Sequence, residues 1–124
     1  LQVSMDVEDD LNCLVPSFIL QPLVENAVRY GADAKGMRTV SIQARTIDDL
    51  VEISVSDKGP GIPKDMVIQL YSGEGRGGVG LKNVHRRLKS IYGEDNGLKI
   101  ETSAAGSRVW FRVPRSAEQD AENR

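Results

Sequence analysis

Apolar and polar side chains alternate in several short segments of the chain, with the period of a strand that has one buried face. The alternation from Val3 to Val7 predicts a half-buried strand. Val40 to Ile47 and Val51 to Asp57 are rich in β-branched residues and predict two further strands. Asp48 and Asp49, which separate them, are typical of a hairpin link. A second hairpin is predicted from Leu98 to Thr102 and Arg108 to Val113, with Ala104, Ala105 and Gly106 between the strands.

Two longer segments repeat apolar residues three and four positions apart, which is typical of amphipathic helices. The first runs from Pro16 to Gly31, with proline near its start and glycine at its end. The second opens near Gly80 and closes before Gly93. Its exposed face is predicted to carry Lys82, Arg86, Arg87 and Lys89.

The segment between the second hairpin strand and the second helix is less regular. Pro63 to Tyr71 has weak helical character. Ser72 to Gly78 contains four glycines in seven positions, which predicts a mobile loop.

The order of these elements predicts the fold class. A strand, a helix, a strand pair, a loop, a helix and a second strand pair indicate an α/β (α+β) two-layer sandwich. Its mixed, mostly antiparallel sheet would be covered on one face by helices. Residues 1–114 are predicted to form one domain, and the polar, charged residues 115–124 a disordered tail.

Composition and charge exclude several function classes. Sixteen basic and 18 acidic residues give a net charge of -2, which argues against nucleic acid as a partner. The single Cys13 forms no internal disulfide and, with one histidine, supplies no zinc site, so a reducing, cytoplasmic setting fits best. No apolar run approaches the roughly 20 residues of a membrane span. We expect a soluble fragment, beginning at Leu1, of a longer protein.

The glycine-rich segment favours a nucleotide site of an uncommon kind. Its glycines run into Val79-Gly80-Leu81 rather than Lys-Ser or Lys-Thr, which excludes a P-loop. The Rossmann spacing of glycines occurs twice, but after a helix-like segment instead of a strand. Glycines that end at the first turn of a helix can still cradle phosphates with free N–H groups. The candidate cradle is Gly78, Val79, Gly80 and Leu81, and a merely flexible loop is the equal alternative.

The first helix carries a broad polar face formed by Gln21, Glu25, Asn26, Arg29 and Tyr30. Asn26 offers a carbonyl oxygen suited to Mg²⁺, a hard ion that prefers oxygen ligands shared with phosphates. Glu25 could accept a proton or position a water. The alternative is a solvated face with an ordinary Glu25 to Arg29 pair.

Asp57 ends an apolar strand just before Gly59 and Gly61. Its ionised carboxylate accepts hydrogen bonds and suits the amino group of adenine, a donor that guanine lacks at that position. The alternative is an aspartate that caps its own turn. His85 is interpreted as a helix-surface residue, and Cys13 and Trp110 as packing residues.

Three segments in this order resemble the N, G1 and G2 boxes of the GHKL superfamily of ATPases and kinases. They are Leu23 to Gly31, Asp57 to Pro63 and Gly77 to Val84. The resemblance extends from Cys13 to Pro114. Pro16 to Asn26 and Gly80 to Leu88 are further similar to LytS-type sensor histidine kinases.

That resemblance implies a Bergerat-type fold that binds ATP and Mg²⁺. It assigns Asn26 to the metal, Asp57 to adenine, Gly59 and Gly61 to the base pocket, and Glu25 to a general-base or positioning role. Ser107 stands where the family usually has a threonine that holds a water near the base. No Phe-containing lid box occurs between Pro63 and Gly73, so the lid is short. The implied nucleotide-binding set is Asn26, Arg29, Tyr30, Asp57, Gly59, Gly61, Ile62, Gly77, Gly78, Val79, Gly80, Leu81 and Ser107.

The function implied by the resemblance is that of the catalytic domain of a two-component sensor kinase. The γ-phosphoryl of ATP would pass to a histidine on an upstream dimerisation segment, and then to a response regulator. The whole protein would be a bacterial inner- or plasma-membrane dimer with this domain in the cytoplasm. His85 makes a poor phosphoryl acceptor. Alternatives are an anti-sigma-factor-type serine kinase, another GHKL ATPase such as a gyrase, MutL or Hsp90-like clamp, and a binding module without turnover.

Overall fold

The computed structural model describes residues 2–7, 17–73 and 79–114. Within these ranges the chain forms five strands and three α-helices. In chain order they are β1 (Gln2–Val7), α1 (Ser17–Tyr30), β2 (Thr39–Ile47), β3 (Leu50–Asp57), α2 (Lys64–Ser72), α3 (Val79–Tyr92), β4 (Lys99–Ser103) and β5 (Gly106–Pro114). Both predicted helices, both hairpins and the weakly helical segment are thus confirmed, while Cys13, the glycines at 75, 77 and 78, and the tail lie outside the described residues.

The strands form one sheet in the order β1-β2-β3-β5-β4. β1 runs parallel to β2, and the other three neighbouring pairs are antiparallel. The prediction of a mixed, mostly antiparallel sheet is therefore confirmed. The pairing of β3 with β5 sets Asp57 directly opposite Ser107, fifty residues later in the chain by number.

Alternating residues of the central strands face the helices and form the core. In β5 the buried positions are Ser107, Val109, Phe111 and Val113. The helices contribute one stripe each, as their 3.6-residue period requires. The buried apolar residues of the helices are Ile19, Leu23, Ala27, Leu70, Leu81, Val84 and Leu88.

The opposite face of the sheet is polar and is closed by an ion-pair network. Glu52 is buried on this face because Arg108 and Arg112 both donate hydrogen bonds to its carboxylate. The Arg108 guanidinium also lies 4.4 Å from the ring centroid of Trp110, so the packing interpretation of Trp110 is supported by a cation–π contact.

Two predictions about burial are wrong. β1 is a strand, but its apolar residues Val3, Met5 and Val7 are 53%, 68% and 49% exposed, because β1 lies at the sheet edge and the described helices pack over the central strands. Lys82 was expected on the outer face of α3 and is only 6% exposed. α3 contacts both α1 and α2, so its buried surface is wider than one apolar stripe.

Candidate functional site

Asp57 lies where β3 ends, half-buried between the end of α1 and the start of β5. Its Oδ1 accepts a hydrogen bond of 2.9 Å from the backbone N–H of Gly59, so the turn-capping interpretation is confirmed. Burial raises the pKa of the Asp57 carboxyl above its ordinary value, and hydrogen bonds from the backbone N–H groups of Gly59 and Ser107 oppose that rise. Because burial outweighs these donors, a further donor from a ligand would stabilise the charged carboxylate.

The end of α1 and the turn after β3 touch through backbone atoms. A Cβ added at Gly59 would lie 2.7 Å from the Cα of Gly31, and one added at Gly31 would lie 2.8 Å from the Cβ of Asp57. No side chain fits at either position. Gly31 was not predicted as a site residue, although a glycine directly after the helix carrying Asn26 was a usable signal.

The second half of the turn is held against β4. Gly61 has a φ of +101°, and a Cβ there would meet the Oγ1 of Thr102 at 2.8 Å. The backbone N–H of Ile62 donates to the same Oγ1 at 2.8 Å. The Ile62 side chain itself is buried in the hydrophobic core.

Ser107 is buried opposite Asp57, and its hydroxyl contacts a residue that was not predicted. The Oγ of Ser107 lies 2.8 Å from the Oγ1 of Thr102. Thr102 therefore contacts both the turn and β5. Sequence reasoning missed it because a threonine in an alternating strand carries no signal beyond strand propensity.

Two cavities flank this region. One, of about 330 Å³, is lined by Asp57, Glu101, Thr102, Ser103, Ala105, Gly106, Ser107 and Arg108. The other, of about 340 Å³, is lined by Pro60, Gly61, Ile62, Lys64, Val67, Thr102 and Ser103. Thr102 and Ser103 separate the two cavities, since both residues line each of them. We call Asp57 to Ile62, Thr102 and Ser107 the base end of the site.

The polar face of α1 leads away from the base end. Asn26 and Tyr30 are half-buried, and Glu25 and Arg29 are exposed. Glu25 accepts a hydrogen bond of 3.2 Å from Gln21, one turn earlier. Gly80, in the first turn of α3, packs beside Pro22, where an added Cβ would meet the proline Cβ at 3.8 Å.

The helix α1 therefore links two of the predicted groups. Its C-terminal end contacts the Asp57 turn, and its second turn contacts the start of α3, about 12 Å away at 1.5 Å per residue. Asn26 lies between these two points. Leu81 is buried in the core, while Gly77, Gly78 and the side chain of Val79 lie outside what the structure describes.

The helices α2 and α3, which flank the glycine segment, are joined through hydrogen bonds to the backbone of Leu98. The backbone N–H of Leu98 donates to Nδ1 of His85 at 3.0 Å, and the Tyr71 hydroxyl donates to the Leu98 carbonyl at 2.9 Å. The rings of Tyr71 and His85 meet edge to face at 5.2 Å. We call Tyr71, His85 and Leu98 the lid stem. The prediction that His85 is a helix-surface residue is wrong, because its ring is half-buried and accepts a backbone hydrogen bond.

Burial lowers the pKa of His85 below its ordinary value. The positive charges of Lys89 and Lys99 lower it further, and Glu94, which is ion-paired with Lys89 at 3.3 Å, acts in the opposite direction. The imidazole is therefore neutral near pH 7, as an accepting Nδ1 requires.

The donor chemistry of α1 fits one kind of metal. Among the residues that the structure describes, no three His, Cys, Asp or Glu side chains are grouped to hold an ion. Mg²⁺ needs no such cluster, because it usually takes one or two protein oxygens together with phosphates and water. The half-buried amide of Asn26 can supply one such oxygen. In the described part of the chain, no helix has the length and apolar character needed to cross a bilayer.

Comparison with known proteins identifies relatives among sensor kinases. Sensor histidine kinase YpdA of Escherichia coli strain K12 is 38% identical over 116 residues, which covers 92% of this chain and 20% of that protein. Sensor protein LytS of Streptococcus agalactiae serotype V is 32% identical over 124 residues, which covers 96% of this chain and 21% of that protein. The chain thus spans about a fifth of the length of these curated relatives.

The fold is shared with a solved kinase domain. The catalytic domain of histidine kinase ThkA superposes with a TM-score of 0.71 at 20% identity, covering 92% of this chain and 78% of that domain. Residues 16–117 match the family model for histidine kinase-, DNA gyrase B- and HSP90-like ATPases. The predicted GHKL fold and the likeness to LytS-type kinases are both confirmed, and the chain belongs to this ATPase family.

Proposed function

We propose that this domain binds Mg-ATP along α1 and transfers the γ-phosphoryl group to a histidine outside the chain. The observation that carries the proposal is that α1 contacts the other two boxes, one at its C-terminal end and one at its second turn. Its last residues meet the Asp57 turn, and Pro22 meets Gly80. The helix α1, which bears Asn26, thus extends from the Asp57 carboxylate, which suits a nucleobase, to the N-terminus of α3, which suits phosphates.

At the base end, Asp57 accepts a hydrogen bond from the amino group of adenine. Its raised pKa supports this role, since the carboxylate is short of donors in the free domain. Guanine presents a carbonyl oxygen at the same position, and two acceptors repel each other. Gly59, Gly61 and the backbone around Ile62 shape the base pocket, with Ser107 opposite Asp57.

At the phosphate end, the backbone N–H groups of the first turn of α3 bind phosphate oxygens, with Gly80 and Leu81 in that turn. Asn26 holds Mg²⁺ through its amide oxygen. The ion, when bound, neutralises charge on the phosphates. Arg29 and Tyr30 lie on the same polar face of α1, and Glu25, exposed on that face, positions or deprotonates the attacking group.

In the transfer step, a neutral imidazole nitrogen of the acceptor attacks the γ-phosphorus. A phosphorus–nitrogen bond forms as the bond from the γ-phosphorus to the β,γ-bridging oxygen breaks, ADP leaves, and the proton on the other ring nitrogen passes to a base such as Glu25. Within the described residues, His85 is the only histidine, and its Nδ1 already accepts the Leu98 N–H. The acceptor therefore lies on another segment of the whole protein, which we propose to be a dimeric sensor kinase that serves a response regulator.

Titration calorimetry with Mg-ATP and Mg-GTP tests the binding half of this proposal. We expect ATP to bind at least about tenfold more tightly than GTP, the effect of one unmatched polar contact. Asn26→Ala should weaken Mg-ATP binding and reduce its dependence on Mg²⁺ concentration. Gln43→Ala, which removes an amide from β2 on the face away from the helices, should change neither quantity.

The transfer half is tested with the full-length protein and γ-labelled ATP. We expect a label that is stable in alkali and labile in acid, as phosphohistidine is, and no label on the isolated domain. Stoichiometric labelling of the isolated chain, or an acid-stable phosphoserine on a partner, would contradict the assignment.

A further inference from the structure

Thr102 connects two parts of the base end that are far apart in sequence. It lies on β4, forty residues after the turn that contains Gly61 and Ile62. Its Oγ1 accepts the N–H of Ile62 at 2.8 Å and lies 2.8 Å from the Oγ of Ser107. A single hydroxyl thus joins the turn after β3 to the start of β5.

The hydrogen bonds of the Thr102 hydroxyl determine which of its neighbours donate and which accept. The N–H of Ile62 can only donate, so Thr102 accepts there. If Thr102 then donates to Ser107, the Ser107 proton is available to the cavity that Asp57 also lines. If Ser107 donates instead, its two lone pairs face that cavity. In either arrangement, Thr102 restricts the rotation of the Ser107 hydroxyl.

Thr102 also fixes the distance between the Gly61–Ile62 turn and Ser107. Gly61 approaches β4 so closely that an added Cβ would meet Thr102 Oγ1 at 2.8 Å, and Ser107 pairs with Asp57 across the sheet. Thr102 also lines both cavities at the base end. Among the β-branched residues that favour a strand, only threonine carries an oxygen that can accept the Ile62 N–H.

We propose that Thr102 is a positioning residue that sets the discrimination between adenine and other purines. It holds the Gly61–Ile62 turn at a fixed separation from Ser107, so that the base meets Asp57 and the Ser107 hydroxyl together. This inference rests on the proposed function, because it assumes that a purine nucleotide occupies the base end.

The first test is Thr102→Val, which keeps the shape of the side chain and removes the hydroxyl. We expect the Kd for ATP to rise about tenfold, since the Ile62 N–H loses its acceptor and the turn moves. The Kd for GTP should change less, so the ATP to GTP selectivity falls. In the full-length kinase, the KM for ATP should rise while kcat at saturating ATP stays within about twofold, as expected for a residue that acts on base binding.

Two matched variants separate the hydroxyl from general packing. Thr102→Ser keeps the hydroxyl and should restore both ATP affinity and selectivity to within about threefold of the natural chain. Thr46→Val makes the same change on β2, near the end of that strand that lies away from Asp57, and should leave selectivity unchanged. Loss of selectivity in Thr102→Ser, or retention of selectivity in Thr102→Val, would overturn the inference.

Hydrogen exchange of the unmodified chain provides a test that does not depend on a variant folding. We expect the Ile62 amide to be protected without nucleotide and protected further by ATP. An Ile62 amide that exchanges as fast as an exposed loop amide would refute the hydrogen bond from Ile62 to Thr102. If Asp57→Asn binds ATP as well as the natural chain does, the proposed function fails. If Asp57→Asn loses the selectivity for ATP over GTP but Thr102→Val keeps it, the proposed function stands and only the inference about Thr102 fails.

Discussion

The base end and the lid stem are both held by a side chain that accepts a backbone N–H, but the accepting groups differ. Each ties a turn to a distant strand or helix through a side chain that accepts a backbone N–H. At the base end, this acceptor is the Thr102 hydroxyl, which accepts the Ile62 N–H, while the Asp57 carboxylate caps the same turn locally through Gly59. At the lid stem, the acceptor is the His85 imidazole, held by the Tyr71 ring and the Leu98 backbone.

The difference between the two regions concerns pH and packing. A hydroxyl does not titrate in the physiological range, so the contact of Thr102 with the Ile62 N–H is insensitive to pH near neutrality. An imidazole loses its accepting lone pair when it is protonated. The base end is also closed by backbone contact at Gly59 and Gly61, whereas Gly73 beside the lid stem has open space around it. The turn after β3 is therefore held by closer backbone contacts than the C-terminal end of α2 at Gly73.

The largest expected effect is at the base end. Asp57→Asn should weaken ATP binding by about 10- to 100-fold, because a charged acceptor is replaced by a neutral one. An asparagine can still accept the Gly59 N–H, so the turn should persist. Calorimetry with ATP and circular dichroism of the same samples measure the two quantities.

The same variant has an opposite effect on stability. Because the pKa of Asp57 is raised in the folded state, ionisation of this carboxyl disfavours folding at neutral pH, and that penalty disappears as pH falls through the folded pKa. Asp57→Asn should therefore leave the free energy of unfolding equal or slightly higher at pH 7. A clear loss of stability would show that the carboxylate is structural rather than poised for a ligand.

A second prediction compares two glycines with positive φ. Gly61 has a φ of +101° and Gly73 one of +77°, but a Cβ at Gly61 would meet the Ser103 carbonyl oxygen at 2.5 Å while one at Gly73 would meet nothing within 4 Å. Gly73→Ala should cost about 1 kcal/mol of unfolding free energy from backbone strain alone. Gly61→Ala should cost at least about 2 kcal/mol and also reduce ATP affinity. Urea unfolding of both variants gives the difference, and equal costs would mean that the base end is not tightly closed.

The third and smallest effect is on the pH dependence of the lid stem. The pKa of His85 is lowered in the folded state, so the unfolded chain binds a proton first as pH falls. The associated stability is complete above the unfolded value of about 6.5 and is lost as pH falls from there towards the folded pKa. We expect the free energy of unfolding to fall because of this group as pH decreases below about 6.5.

His85→Asn provides the control for that measurement. The asparagine Oδ1 can take the place of Nδ1 and accept the Leu98 N–H, but it does not titrate. The variant should lose the part of the pH dependence that His85 contributes while Lys89, Lys99, Glu94 and Tyr71 around it remain. An unchanged pH dependence would assign the slope to these neighbours instead.

Much of the fold was predictable because its signals are local. The pattern of apolar residues predicted both long helices and all five strands, and Asp57 followed by Gly59 and Gly61 was compatible with a turn that Asp57 caps. The order of the three boxes predicted the family, which the family match confirms. The roles of Asn26, Glu25 and the glycine cradle stay predictions until binding is measured.

What the sequence by itself determined is thus the set of elements, the Asp57 turn and the family, because each depends on residues within a few positions of one another. Only the tertiary structure decided that β1 is exposed, that Lys82 is buried, that His85 ties the lid stem and that Thr102 joins the turn to Ser107. The physical reason is that these contacts join residues 13 to 40 positions apart in the chain, or depend on which neighbours cover a helix or an edge strand. The local pattern of apolar and polar residues does not show which distant residues will pack beside a segment in the folded chain.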